Sequence, residues 1–472
     1  MNDTPKNQAP PQHPQAKRKP GFFARLLGTA ANETDIKILI GPFIDTQGQD
    51  HARSIASVFS GHNGIFVQVV NEAPVLTPEV NRSDLLPQAC TQALGWLTQH
   101  DADLVIWGDV PPPGANLFLH FAAPPPVDVD PAGTISPFQS LNLPLGFDPE
   151  AYGPLVMASA LAALNPDTDP KRETCRNLIA PALEKSAEIM EHIPREFTPR
   201  ERASLQAMFA NALASFGHLF PGTEVLHRAA LAYAEGIKGT LRSDSPTNWA
   251  YLQRNLGTVL QAMGERTDDI NTLVKAEEAY KAALEIFTFE ATPFPWATTH
   301  NRTGEVLYRM DIKTDEVANL KKALGHYQSA LKVLNKRSMP LLWSETLNNF
   351  AQTAQVLGRQ TDNEDVVEKA VTACKQALTV RTVTQQPTLW AATQNNMGSA
   401  LFLLGRMTGE DKHYEAALKA FMDARETYDK LGLTRMVEVT DKNIAHAEQR
   451  LPEGAAQSGE QNADMWWLEE EE

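Results

Sequence analysis

Polar side chains recur at one position in the second half of the chain, and their shared chemistry is hydrogen-bond donation. Amide or basic residues occupy this position five times, as Arg254, Asn301, Asn348, Asn395 and Lys442. Gln352 and Tyr308 follow members of this set by four and seven residues, spacings that keep them on the same helix face. Amides and bases donate to peptide carbonyls and carboxylates. This stripe predicts a solvent-facing surface that binds a peptide; ordinary polarity of helix exteriors, copied by duplication, is the alternative.

Asparagine recurs one residue after the stripe, with one exception. It is present as Asn255, Asn349, Asn396 and Asn443, whereas Arg302 takes its place in the remaining copy. We assign Arg302 to the binding stripe. The asparagines have two interpretations, a bridge between adjacent helices or direct contact with the bound partner.

No catalytic motif accompanies the stripe. The sequence lacks a P-loop, a Gly-x-Gly-x-x-Gly after its first strand, and the His-Glu-x-x-His, Cys-x-x-Cys and Gly-x-Ser-x-Gly patterns. Cys90, Cys175 and Cys374 lie far apart without metal-ligand spacing. We therefore expect a protein that is not an enzyme, with no catalytic residue, cofactor or metal. A hydrolase within residues 36–122 is the less favoured alternative.

Tryptophan marks the period of the second half. Trp249, Trp296, Trp343 and Trp390 follow one another at intervals of 47 residues, each three residues after a proline. Since the chain has only 8 tryptophans in 472 residues, four in register indicate stacked repeats. We expect these four to be structural and to pack between the helices of adjacent units.

Each unit predicts a pair of helices. Eight residues after the tryptophan, the first helix carries a small residue: Gly257, Gly304, Ala351 and Gly398. The second helix carries alanine and, four residues later, a larger side chain: Tyr280, Tyr327, Cys374 and Phe421. Small residues let the partner helix approach, and the larger ones fill the gap, so this face is a core face.

These units resemble the tetratricopeptide repeat. Residues 255–257 read Asn-Leu-Gly, and Ala276, Tyr280, Ala283, Leu284 and Pro293 follow in the family's order. The unit of 47 residues departs from the family's usual length of about 34. The resemblance implies an all-α solenoid over residues 199–450 whose stripe lines a concave groove, and it implies that the recurring asparagine bridges helices in part.

The first half of the chain has a different sequence pattern. Short apolar runs alternate with helical stretches over residues 36–122, which predicts a small α/β domain. Gly41-Pro42-Phe43 and residues 102–110 resemble the amino-terminal domain of TolB and related bacterial signalling proteins. The resemblance implies an interaction or sensing module. The predicted fold class is thus α+β and multi-domain, a small α/β domain followed by an all-α, tetratricopeptide-like solenoid.

Composition predicts the remaining boundaries. Residues 1–35 form a basic, Pro-rich disordered tail, 123–149 a Pro-rich linker, and 150–198 a capping helix pair for the array over 199–450. Residues 451–472 form a flexible acidic tail. It ends in a docking motif of apolar anchors and charge: Trp466, Trp467, Leu468, Glu469, Glu470, Glu471 and Glu472.

Charge narrows the class of partner. The net charge of −16 disfavours nucleic acid, and no apolar run is long enough to span a membrane. Lys17 to Leu27 is either a basic tail or an amphipathic segment that makes peripheral contact with a membrane. We expect a cytoplasmic, bacterial-type adaptor that binds a protein or peptide partner, with self-association through the terminal tail as an option. A regulatory subunit that senses a small ligand through its α/β domain is the alternative.

Overall fold

The computed structural model describes residues 32–43, 49–70, 82–110, 116–124, 128–195, 197–314 and 316–451. The basic segment Lys17 to Leu27 and the docking motif Trp466 to Glu472 lie outside these ranges. Among the described residues, no helix has the length and apolarity needed to cross a bilayer.

A five-stranded sheet forms the first unit. Its strands are β1 (Ile36–Ile40), β2 (Ile65–Val69), β3 (Leu104–Asp109), β4 (Asn116–Ala122) and β5 (Leu141–Pro144), and its helices are α1 (Ala52–Phe59) and α2 (Arg82–His100). The strand order is β2-β1-β3-β4-β5. β1 runs parallel to β2 and β3, whereas β4 and β5 add in antiparallel fashion. The predicted α/β unit is confirmed.

The fifth strand lies in the segment that composition predicts as a linker. Leu141 and Leu143 are fully buried against the sheet core, and the intervening Asn142 receives a hydrogen bond from Ser140 and donates its backbone N–H to Ser204. Four residues flanked by prolines give too short an alternation to be recognised as a strand. The α/β unit therefore extends to Pro144.

Helical pairs make up the rest of the described chain. The pair that precedes the array is α3 (Pro149–Ala163) and α4 (Asp169–Glu191). The array follows as α5 (Pro199–Phe216), α6 (Glu224–Gly239), α7 (Pro246–Thr267), α8 (Ile270–Leu284), α9 (Pro293–Thr314), α10 (Val317–Ala330), α11 (Pro340–Thr361), α12 (Glu364–Ala377), α13 (Pro387–Thr408), α14 (Asp411–Lys430) and α15 (Thr434–Glu448). Proline begins α7, α9, α11 and α13 because its fixed φ suits the first helical position and its missing N–H costs nothing there.

Small residues on each first helix meet the large residue of its partner helix. A Cβ at Gly304 would stand 2.6 Å from Cε1 of Tyr327, and one at Gly398 would stand 2.7 Å from the Phe421 ring. The third unit has Ala351, and its partner position carries the smaller Cys374. The two positions therefore compensate in volume, as close-packed interiors require.

The repeat tryptophans are only partly buried. Trp343 packs against the core cluster that contains Leu347 and Ala351. Trp296 contacts the rings of Phe289 and His300 edge-on, with centroids 5.6 Å and 4.5 Å away. Each tryptophan thus closes the start of its unit while part of its ring remains accessible to solvent.

One apolar core joins the sheet to the array. It runs from Ile38 of β1 through Leu155 of α3 and Leu205 of α5 to Val259 of α7. The helical solenoid predicted from the period is confirmed, and it is continuous with the α/β unit.

Candidate functional site

The first helices of the units form one column. Each of α5, α7, α9, α11, α13 and α15 contacts the next member of the series. We call this column the inner face, and it carries the stripe that begins at Arg254 and ends at Lys442.

A piece of the chain without regular secondary structure lies against the inner face, from α5 to the start of α11. We call residues 128–140 the inserted segment; they belong to the predicted linker. The carboxylate of Asp130 lies between two guanidiniums, accepting from Nη2 of Arg254 and, at 2.6 Å, from Nε of Arg302. Nη2 of Arg302 also donates to the backbone carbonyl of Asp130 at 2.6 Å. Two helices, α7 and α9, therefore hold one residue of this segment.

Asp128 extends the contact to α11. Its carboxylate accepts hydrogen bonds from the backbone N–H groups of Leu341 and, at 2.9 Å, Leu342 in the first turn of that helix. These N–H groups have no partner within the helix, and the helix dipole favours a negative charge there. Asp128 is itself 8% exposed.

The backbone of the inserted segment meets α5 and α7. Asn255 donates to the carbonyl of Thr134 at 2.8 Å, and Ser215 donates to the carbonyl of Ala132 at 3.1 Å. Gly133 has φ of +71°, and a Cβ there would stand 2.3 Å from the carbonyl oxygen of Asn211. Only glycine permits both this backbone conformation and this approach.

The side chains of α5 and its partner helix complete the site. Asn211 donates to Gln139 at 3.0 Å and accepts from the hydroxyl of Tyr233 at 2.9 Å. Burial raises the pKa of Tyr233 well above its ordinary value, so the hydroxyl remains a donor. The inserted segment is therefore bound through carboxylates, carbonyls and one amide, as a peptide ligand would be.

Two arginines share the single carboxylate of Asp130. Burial and the neighbouring charge of Arg302 lower the pKa of Arg254 to about 9, which leaves the guanidinium charged at neutral pH. For Arg302, desolvation is outweighed by Tyr280 and Glu305, which raise its pKa. Arg254 is 2% exposed, so its charge depends on this ion pair.

The second half of the inner face is held by asparagine pairs. Asn396 donates to the side chain of Asn348 at 3.1 Å, and Asn443 donates to that of Asn395 at 2.9 Å. Asn348 and Asn395 are each 8% exposed. These stripe residues therefore connect successive helices and do not face solvent, because the close contact of first helices covers them.

Glu305 lies where the two halves meet. Its carboxylate accepts hydrogen bonds from Asn301 at 2.8 Å, Asn349 at 3.0 Å and Gln261 at 3.2 Å. Burial raises its pKa to about 7; Arg302 opposes this shift, whereas the charge of Glu345 adds to it. The amide of Asn301 thus donates its hydrogen bond to a carboxylate of the same array.

The remaining stripe residues are more accessible. Gln352 and Tyr308 are half-buried, and Lys442 is exposed. Burial raises the pKa of Tyr308 to about 12. Gln352 on α11 and Lys442 on α15 belong to the second half of the inner face, whereas Tyr308 is on α9, the helix that also carries Arg302.

Sequence reasoning missed Asp128 and Asp130. The signal that points to them is a pair of departures from the asparagine pattern: Arg254 stands where three later units have asparagine, and Arg302 stands where the others have asparagine. Both departures converge on Asp130. Among the described residues, no group of three or more metal-ligating side chains comes together.

Comparisons with known proteins add little beyond this geometry. No protein-family model matches the chain. No curated protein matches it either. Among solved structures, the crystal structure of BtubC (BKLC) from P. vanneervenii is 16% identical, with a TM-score of 0.35; the match covers 56% of this chain and 93% of that one.

Proposed function

We propose that this chain is a non-enzymatic, cytoplasmic scaffold that holds an acidic segment of a protein partner on its inner face. In this proposal the array is a tetratricopeptide-like solenoid with long units. The observation that carries the proposal is the inserted segment, because the inner face already binds a peptide of this kind within its own chain.

The contacts of the inserted segment define what a partner would present. Its two carboxylates are recognised by arginines and by a helix start, and its carbonyls are recognised by Asn255 and Ser215. These are charge-assisted and main-chain hydrogen bonds, which select an acidic peptide with accessible carbonyl groups.

The second half of the inner face is the place for such a partner. Lys442 and Arg406 are exposed, and the charges of Arg406 and Arg450 both act on Tyr414. Exposed cations of this kind attract the carboxylates of an acidic segment.

The first experiment tests whether the inner face binds acidic peptides. A fluorescent peptide of residues 127–136 is titrated into the full chain and into a variant with Asp128→Asn and Asp130→Asn, which weakens the internal competitor. We expect saturable binding to the variant that weakens at high salt, and much weaker binding to the wild-type chain. The matched control is the same peptide with both aspartates replaced by asparagine.

The second experiment locates the partner. A photo-crosslinking residue replaces Gln352 on the inner face or, as a control, exposed Lys375 on α12. We expect a crosslinked partner only at position 352, and a loss of that product when Lys442→Glu reverses an exposed charge of the second half. Equal products at both positions, together with no peptide binding in the first experiment, would remove the proposal.

A further inference from the structure

A cavity of about 720 Å³ lies where the α/β unit, the inserted segment and the array meet. Its walls come from α2, the end of β4, the α3–α4 pair, α5, α7, the start of α9 and the residues that precede α11. This volume falls in the range of small-molecule sites, which are concave and mostly apolar with a few placed polar groups. The proposed binding of a partner on the second half of the inner face does not use this cavity.

Apolar side chains with accessible surface form most of the wall. Five of them line the cavity and are each half-buried: Leu94, Ile135, Phe216, Phe294 and Met339. A ligand can therefore contact them. Covering such surface with hydrocarbon is favourable, whereas the many hydroxyl groups of a sugar would lack partners there. The wall thus favours a ligand with a hydrocarbon body.

Two arginines on one face of α4 supply accessible charge. Arg172 and Arg176 both line the cavity, and because they are four residues apart they lie one turn from each other on the same helix face. Their side chains are 43% and 57% exposed. Arg254, by contrast, is 2% exposed, and the carboxylates of Asp128 and Asp130 are engaged by the array. The end of the cavity that can meet an anion is therefore at α4.

The two guanidiniums keep donors for such an anion. Arg172 is oriented by Asp169, which accepts from Nε at 3.2 Å and from Nη2 at 2.8 Å, and by the carbonyl of Pro166, which accepts from Nη1 at 3.0 Å. Each Nη still has a second N–H. The ion pair of Arg176 with Glu173 is 3.8 Å long, beyond hydrogen-bond distance, so the N–H groups of Arg176 are not committed to that carboxylate.

We propose that this cavity binds an amphiphile that has one hydrocarbon chain and an anionic head group. The head accepts hydrogen bonds from Arg172 and Arg176 and stays partly in water, because both side chains are exposed. The chain covers the half-buried apolar side chains of the wall. Since Ile135 belongs both to this wall and to the inserted segment, the bound chain also contacts the inserted segment.

The protein offers matched variants for a test. Arg172→Gln combined with Arg176→Gln removes both charges that meet the head group. Lys185→Gln is the control, because it removes an exposed charge from the same helix at a position that does not line the cavity. Ala162→Trp fills the cavity with an indole from a half-buried position on α3.

The test is calorimetric titration of the full chain with decanoate, octanoate and decan-1-ol, each below its aggregation limit. We expect one site per chain and about tenfold tighter binding of decanoate than of octanoate, since two buried CH2 groups at about 0.8 kcal/mol each correspond to roughly that factor. The double arginine variant should bind decanoate about fivefold more weakly, because exposed ion pairs contribute modestly, and should bind decan-1-ol as the wild type does. Lys185→Gln should match the wild type with both molecules, and Ala162→Trp should bind neither.

Any one of four outcomes would overturn the inference. These are no saturable binding of decanoate to the wild-type chain, equal affinities for decanoate and octanoate, equal decanoate affinities of the double arginine variant and Lys185→Gln, or unchanged binding by a folded Ala162→Trp. If Ala162→Trp does not fold, as judged by circular dichroism, the first three comparisons still decide the matter, because the other substitutions are at exposed positions. None of the three ligands resembles the acidic peptide, so failure here leaves the peptide titration to be judged separately.

Discussion

The two halves of the inner face use the same repeat positions for different purposes. In the first half, Arg254 and Arg302 hold the carboxylate of Asp130, and Asn255 holds a carbonyl of the inserted segment. In the second half, equivalent positions carry asparagines that bond to one another across successive helices. One array therefore supports both a surface that holds the inserted segment and a surface bridged by its own asparagines, and a change of one residue type in a repeat distinguishes them.

The two halves should differ in how much stability is lost when a hydrogen-bond partner is removed, because the contacts of the first half involve charged groups. The buried guanidinium of Arg254 and the half-buried one of Arg302 need a partner, and losing it leaves uncompensated charge in a poorly solvated place. A neutral amide that loses its partner is left with a smaller desolvation penalty. The first half should accordingly be the more sensitive to substitution.

Asp130→Ala should produce the largest loss. It removes the carboxylate shared by Arg254 and Arg302, and breaking a buried ion pair in this way costs about 3–5 kcal/mol. The control is Asp441→Ala in the second half, whose pair with Arg425 is exposed and should contribute far less because solvent screens it. Denaturant unfolding followed by circular dichroism measures both; equal losses would show that the inserted segment is not held by buried charge.

Packing beneath the inner face should not differ between the halves. Gly304→Ala and Gly398→Ala each place a methyl group against a ring, at 2.6 Å from Tyr327 and 2.7 Å from Phe421, and each should cost about 1–3 kcal/mol. Gly325→Ala is the control, because open space surrounds that position and alanine favours the helix by about 1 kcal/mol. If the melting temperatures of Gly304→Ala and Gly398→Ala differ widely, the two halves differ in core packing as well.

Periodicity predicted the array well, because burial and helix pairing repeat with the sequence. The 47-residue interval of Trp249 and its equivalents places the helices, and the Gly304 position anticipates its partner Tyr327. The site was less accessible to the same reasoning. Asp130 comes from a Pro-rich segment far from the array in sequence, and no periodic signal links it to Arg302, which is 172 residues away.

The asparagine stripe shows the same limit. A polar residue at a recurring helical position is equally consistent with a solvent-facing donor and with a buried bridge between helices. Spacing determines which helix face the residue is on but not what covers that face. Contact between successive first helices decides the matter, because it buries Asn348 and Asn395. That contact depends on the curvature of the array, which the repeat length alone does not give.

Within the second half, Asn395→Ala should have an intermediate effect. It removes the acceptor of Asn443, whose side chain is fully buried, and leaving a buried donor unpaired costs about 1–3 kcal/mol. Gln385→Ala, at an exposed position in the loop before α13, should stay within about 0.5 kcal/mol of the wild type. Both are measured by denaturant unfolding. If Asn395→Ala also matches the wild type, the asparagines do not bridge the helices and the stripe is free to contact a partner.

The smallest effect should appear at the boundary between the halves and should depend on pH. The folded-state pKa of Glu305 is raised from an ordinary 4.5 to about 7, so the native chain holds a proton there that the unfolded chain has released. Its contribution to stability is therefore fully present below pH 4.5 and is lost as the pH rises to about 7. Glu305→Gln keeps an acceptor oxygen for Asn301 and Asn349 without the charge, and it gives up the acceptor for Gln261.

We expect this variant to match the wild type at pH 4 and to exceed it by about 1–2 kcal/mol at pH 8. The expected gain is smaller than the roughly 3 kcal/mol that a pKa change from 4.5 to about 7 would give at about 1.4 kcal/mol per unit, because the carboxylate is only half-buried and partly solvated. Melting curves from pH 4 to pH 8 provide the comparison, with Glu345→Gln as the control for loss of an exposed charge nearby. If the stability of Glu305→Gln changes with pH in the same way as that of the wild type, the carboxylate of Glu305 is solvated in the folded protein. The two halves would then meet at an ordinary solvated surface.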